Sequence, residues 1–180
     1  LEKAIATNPE NSDARVLNAE ILLARGDYAQ AYEQLQEMVE SPVTLNGLNW
    51  RLQAGLGEAA LGLGRIENAL VALKEALLSQ PENPRLYRLL AETYQAGKLE
   101  PDAINTAREA LKLSPDGLEM LEWYANFMAQ LGQLQEAIQA LRTATQLAPE
   151  GAAYWIGLAE MSLRQDDRVA AQTSLQTALS

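Results

Sequence analysis

One column of alanines constrains this chain more than any other feature. Ala69, Ala103, Ala137 and Ala171 recur every 34 residues, and Ala31 heads the column four residues out of step. A second column is small throughout: Ala19, Gly57, Ala91, Ala125 and Ala159. Four residues after the alanines come Leu35, Leu73, Leu141 and Leu175, with Ala107 the one small exception. Between Leu118 and Gly151 the apolar residues fall at helical spacing in two stripes, Leu118, Leu121, Tyr124, Ala125, Met128 and Leu131, then Leu134, Ala137, Ile138, Leu141 and Ala144. Gly132 separates the stripes, suited to a positive φ at a helix end, and Pro149 closes the unit. Two helices can cross closely where each lacks a side chain, so the small columns read as hairpin contacts. A single hairpin cannot bury both its faces, and such units must stack.

Composition narrows the chemistry. The chain has no cysteine and no histidine, which removes disulfides, the usual zinc ligands and the Ser-His and Cys-His pairs of nucleophilic catalysis. Its 24 acidic residues outnumber 14 basic ones, for a formal charge of −10, so a phosphate backbone is repelled and no nucleic-acid partner is expected. No apolar run approaches the roughly 18 residues of a membrane span, and residues 1–30 lack a signal pattern. The expectation is a soluble protein, cytoplasmic or periplasmic, without membrane insertion. The opening LEKAIATNPEN reads as the end of a helix whose start lies elsewhere, as in an excerpt of a longer protein.

Taken in order, residues 1–7 are expected to be the tail of a preceding helix, closed by Asn8-Pro9. Five units follow as one array, at 8–42, 43–81, 82–115, 116–149 and 150–180. The first has Ser12 as its expected N-cap and Gly26 at its turn. The second carries four extra residues near Ser41 to Asn49, in a longer helix or a longer loop. Gly55, Gly57, Gly62 and Gly64 follow, and because helical glycine costs roughly 1 kcal/mol relative to alanine this unit is the expected soft spot. The third unit opens on Asn83-Pro84 and its second helix on Pro101; the fifth begins near Ala152 and turns at Asp166-Asp167.

These residues resemble the tetratricopeptide repeat family, whose 34-residue signature is W-x2-L-G-x2-Y, then A-x3-F, then A and P. Trp155, Leu158 and Ala159 match its start, as do Tyr87, Leu90, Ala91 and Tyr94; Ala76 with Pro81, Ala110 with Pro115 and Ala144 with Pro149 match its end. The resemblance covers the whole chain and implies an all-α solenoid, a right-handed superhelix of antiparallel hairpins with a groove lined by each first helix. Members that clamp carboxylates carry lysine or arginine and asparagine on that face. Here the deep column reads Glu20, Glu58, Glu92, Asn126 and Glu160, and the column four residues earlier Val16, Ala54, Arg88, Glu122 and Ile156. A carboxylate clamp is therefore not expected, and a cationic or apolar segment suits the face better.

The candidate groove residues are Glu20, Glu58, Arg88, Glu92, Glu122, Trp123, Asn126, Ile156 and Glu160. Each has a plainer reading. Glutamate suits any solvated helix face, and Arg88 can pair with Glu92 one turn away. Trp123, with Phe127 and Met120, is either core packing or a groove anchor. Arg51, Arg85 and Arg88 are surface charges or contacts for an acidic tail. Asp166-Asp167 and Glu100 with Asp102 fit helix termini better than an acid–base pair. The expected function is a non-catalytic scaffold that docks a peptide or helix of a protein partner, with no cofactor or metal. Its rivals are an accessory module of a larger enzyme or an envelope polysaccharide or secretion machine, and a spacer that associates end to end.

Overall fold

A computed structural model of the chain describes residues 11–40 and 49–179. The expected helix tail at 1–7, Asn8-Pro9, Pro42 and the four-residue insertion before Asn49 lie outside the described residues. Within them stand ten α-helices and no strand. They are α1 (Ser12–Arg25), α2 (Tyr28–Glu40), α3 (Asn49–Gly62), α4 (Ile66–Ser79), α5 (Pro84–Ala96), α6 (Glu100–Leu113), α7 (Leu118–Gln130), α8 (Leu134–Leu147), α9 (Ala152–Arg164) and α10 (Arg168–Ala178). The chain divides into two compact units, Leu1–Thr106 and Ala107–Ser180. In the first, α1 packs on α2 and α3 on α4; in the second, α7 packs on α8 and α9 on α10. The all-α solenoid class read from the sequence is what these tandem hairpins form.

The ends of the helices follow from local chemistry. Asn11, not Ser12, caps α1: its side-chain oxygen accepts from the Ala14 amide at 3.0 Å, leaving Ser12 as the first helical residue. Asn83 caps α5 by accepting from the Arg85 amide, with Pro84 in the first turn. Asp167 caps α10 through the Ala170 amide. Every hairpin turn places one residue in the left-handed region: Gly26, Gly64, Lys98, Gly132 and Asp166, at φ between 59° and 80°. The amide after each reaches back five residues: Asp27 to Leu22, Arg65 to Ala60, Leu99 to Tyr94, Gln133 to Met128 and Asp167 to Ser162, at 2.8–2.9 Å. This is the 6→1 bond of a Schellman closure, and it satisfies carbonyls the helix end leaves over. Glycine is absent at two of the five left-handed positions, yet the turn is the same.

Both small columns are buried throughout. Ala31, Ala69 and Ala103 are fully covered, as are Ala19 and Ala91, while Ala125, Ala137, Ala159 and Ala171 are at most 2% exposed. The glycines of α3 are close-approach positions. A Cβ on Gly57 would stand 2.5 Å from Leu73 Cγ, and one on Gly62 would enter the Tyr28 ring. Those contacts supply the physical reason for glycine in a segment where propensity alone argues against it.

A second rule links successive hairpins. Leu35 of α2 seats against Gly55 of α3, where an added Cβ would lie 2.9 Å from Leu35 Cδ1; Leu141 of α8 likewise faces Gly157 of α9, at 3.2 Å. Leu175, in the same column, is 42% exposed, because no described helix supplies its seat.

Candidate functional site

The first helix of each hairpin carries the residues nominated from the sequence, and the two units treat them differently. In the first unit, Glu20 of α1 accepts two bonds from Arg51 of α3, Nε to Oε1 at 3.1 Å and Nη2 to Oε2 at 2.7 Å. Glu58 of α3 accepts from Arg85 Nη2 of α5 at 2.7 Å. Arg88 pairs with Glu92 one turn on, at 3.2 Å. The Arg88–Glu92 pair is the one expected from the sequence; the pairing of Glu20 and Glu58 across helices is not. Arg51 and Arg85, 34 residues apart, tie Glu20 and Glu58 each to the next first helix. Hydrogen bonding to Glu20 raises the Arg51 guanidinium above its usual range, against a smaller opposing effect of burial. Half-exposed pairs of this kind contribute about 0–1 kcal/mol each, so the bidentate Glu20–Arg51 contact fixes geometry more than it adds stability. Val16 and Ala54, aligned in the sequence with the groove, are instead 0% and 6% exposed and belong to the core.

In the second unit, Arg164 of α9 donates to the Ala129 carbonyl of α7 at 2.7 Å, which sets the two first helices side by side. Glu122 and Asn126 on α7 are exposed, as are Ile156 and Glu160 on α9. Glu160 forms no ion pair among the described residues. Trp123 is half-buried and stacks on the buried Phe127 with ring centroids 5.1 Å apart, so core packing accounts for Phe127 and for one face of the indole.

One electrostatic cluster was not singled out from the sequence. Glu136 of α8 accepts from Arg108 Nε at 3.1 Å and Nη2 at 2.6 Å, and from the Tyr124 hydroxyl. Arg108 first, then Tyr124, hold the Glu136 carboxyl below the usual carboxylate range, against the opposing effect of burial. Burial, followed by the Glu136 hydrogen bond, pushes the Tyr124 phenol well up. A legible signal existed: tyrosine stands at 124 where the other units carry Asn18, Leu56, Leu90 and Leu158, and a buried phenol needs a partner. Because the folded carboxyl lies below its unfolded value of about 4.3, its stabilisation is fully present above that pH and is lost as pH falls through the folded value. Thermal melts from pH 7 to pH 2.5 should show a shallower acid loss for Glu136→Gln than for the native chain; parallel curves would contradict the linkage.

Among the described residues no group of three or more acidic side chains is placed to hold a metal ion, and no helix is long and apolar enough to cross a membrane.

Comparison with known proteins agrees with this geometry. One tetratricopeptide repeat model matches residues 1–42 and 94–161, and a second matches 54–117. The TPR repeat-containing protein YpiA of Bacillus subtilis is 25% identical over 131 residues, covering 73% of this chain but 30% of YpiA. The chain therefore spans about a third of the length of that relative. Among solved structures, residues 41 to the end of MamA from Desulfovibrio magneticus superpose with a TM-score of 0.70 at 18% identity, covering 93% of this chain and 92% of that one. YrrB superposes with a TM-score of 0.64 at 20% identity, covering 99% and 90%. These structural likenesses are of fold. With family models spanning more than half its length and the hairpins in place, the chain belongs to the tetratricopeptide repeat family.

Proposed function

We propose that this chain is a non-catalytic protein-interaction scaffold whose first-helix face docks a peptide or helix of a partner protein. The observation that carries this reading is the contrast between the two units. The first-helix acids of unit one are already engaged by Arg51, Arg85 and Arg88, whereas α7 and α9 offer exposed Glu122, Asn126, Ile156 and Glu160 with Trp123 half-buried among them. An apolar contact flanked by carboxylates favours an apolar segment bearing lysine or arginine. YrrB, described as a TPR protein with an unusual peptide-binding site, supports a peptide ligand for a scaffold of this fold. The lack of cysteine and histidine in the sequence supports binding over catalysis.

Selection from a displayed random-peptide library tests the proposal. Selected peptides are expected to be apolar and basic, and Ile156→Glu with Glu160→Lys should weaken them at least tenfold at an unchanged melting temperature. Binders indifferent to both substitutions, or no binders at all, would overturn it.

A further inference from the structure

We propose that a cleft on the second-helix side of the first unit is an anchor site for one uncharged apolar side chain, aromatic or branched, of a partner protein. The cleft has a volume of about 250 Å³ and is lined by Tyr32 of α2, Gln53 and Leu56 of α3, and Asn68, Val71 and Ala72 of α4. Drug-sized ligands occupy pockets of roughly 300–1,000 Å³, so this one fits a single side chain. Its floor is core: Leu56 and Ala72 belong to the buried cluster of Leu35, Met38 and Leu52. Its rim is open, with Val71 71% exposed.

Gln53 stands in the column that elsewhere carries Arg15, Tyr87, Leu121 and Trp155, and it brings an uncharged amide to the lining of the cleft. The rim is also ordered for binding. Asn68 Nδ2 donates to the Tyr32 hydroxyl at 3.0 Å, and the Arg65 guanidinium lies 4.7 Å from the centre of the Tyr32 ring. With its oxygen accepting from Asn68, the Tyr32 hydroxyl can donate to an acceptor on the guest, and Gln53 lines the same cleft.

Charge selects the class of guest. The chain carries −10 overall, yet no charged side chain lines the cleft, and the cation beside it, Arg65, is stacked on the Tyr32 ring, so a buried charged head group is poorly matched there. A neutral apolar side chain loses nothing polar on entry, and its own backbone carbonyl can meet the Tyr32 hydroxyl. Aromatic anchors seated in such clefts typically dominate interface affinity. This site uses helices α2, α3 and α4, and stands independently of the α7–α9 face.

The test uses N-acetyltryptophanamide as the probe, N-acetylglycinamide as the control, and NMR signals of the Val71 and Ala72 methyls and the Tyr32 ring as the readout. Saturating shifts at these three residues are expected with the first compound and not the second. Gln53→Trp, which plugs the cleft, should weaken binding at least tenfold. Should that variant fold poorly, Val71→Arg, at an exposed position, should give the same loss. Linear shifts without saturation, or equal binding by a well-folded variant, would overturn the proposal. So would contacts in the free protein between the Val71 methyls and residues 41–48, since the chain itself would then be the occupant. None of these outcomes bears on Ile156 or Glu160.

Discussion

Gly57→Ala is expected to destabilise the protein by about 1–3 kcal/mol, the usual cost of overpacking, although in an open helix the same change stabilises by roughly 1 kcal/mol. The sign is decided by space. The new Cβ would lie 2.5 Å from Leu73 Cγ and 2.8 Å from Leu73 Cδ2, and within 3.4 Å of the Ala69 carbonyl oxygen. Leu73 is fully buried, so it cannot swing into solvent to make room, and backbone on the other side does not yield. Steric conflict therefore outweighs the propensity gain. Urea unfolding midpoints for the two proteins measure the difference, and a higher midpoint for the alanine variant would show that the α3–α4 crossing is looser than described.

Leu35→Ala should cost about 2–5 kcal/mol, whereas Leu175→Ala, in the same column of the repeat, should cost less than about 1 kcal/mol. Both leucines follow the alanine column by four residues, so repeat position alone assigns them equal importance. Their surroundings do not. Leu35 is 1% exposed and seated on Gly55, and its removal leaves a cavity lined by rigid core. Leu175 is 42% exposed, and its truncation leaves no enclosed cavity because the site is already open to water. Equal losses in melting temperature would mean that the seat on the following hairpin contributes little to stability.

Most of the fold was legible because it is written in absences. An alanine or glycine where two helices cross is a requirement of distance, and it repeats without regard to what else the helix does; all ten positions of the two small columns are buried. Turn geometry was half legible. Gly26 and Gly132 announced themselves, but Lys98 occupies the left-handed position next to Gly97, because hairpin register fixes the turn whether or not glycine is there to ease it. The cap of α1 was misplaced by one residue, since Ser12 and Asn11 are both capable and only the backbone entering the helix decides between them.

The first-helix face was less legible, for a specific reason. Aligning repeats compares residues in the same column, whereas the ion pairs of the first unit join different columns. Glu20 meets Arg51 across 31 residues and Glu58 meets Arg85 across 27, so neither pair appears as a fixed spacing once the insertion intervenes. The column of glutamates and the Arg88–Glu92 pair within one helix were visible; the pairs between helices were not. Val16 and Ala54 mark the same limit in the other direction: their column promised a groove, and their helix rotation buries them.

The fold depends on helices that meet where side chains are missing, and a double-mutant cycle on Gly57→Ala and Leu73→Ala measures that contact directly. If the crossing is as described, shortening Leu73 opens the space the new methyl group needs. The pair of substitutions together should then cost at least 1 kcal/mol less than the sum of the two alone, a coupling of the size expected for residues in contact. Costs that add to within about 0.5 kcal/mol, the behaviour of distant and independent sites, would contradict it.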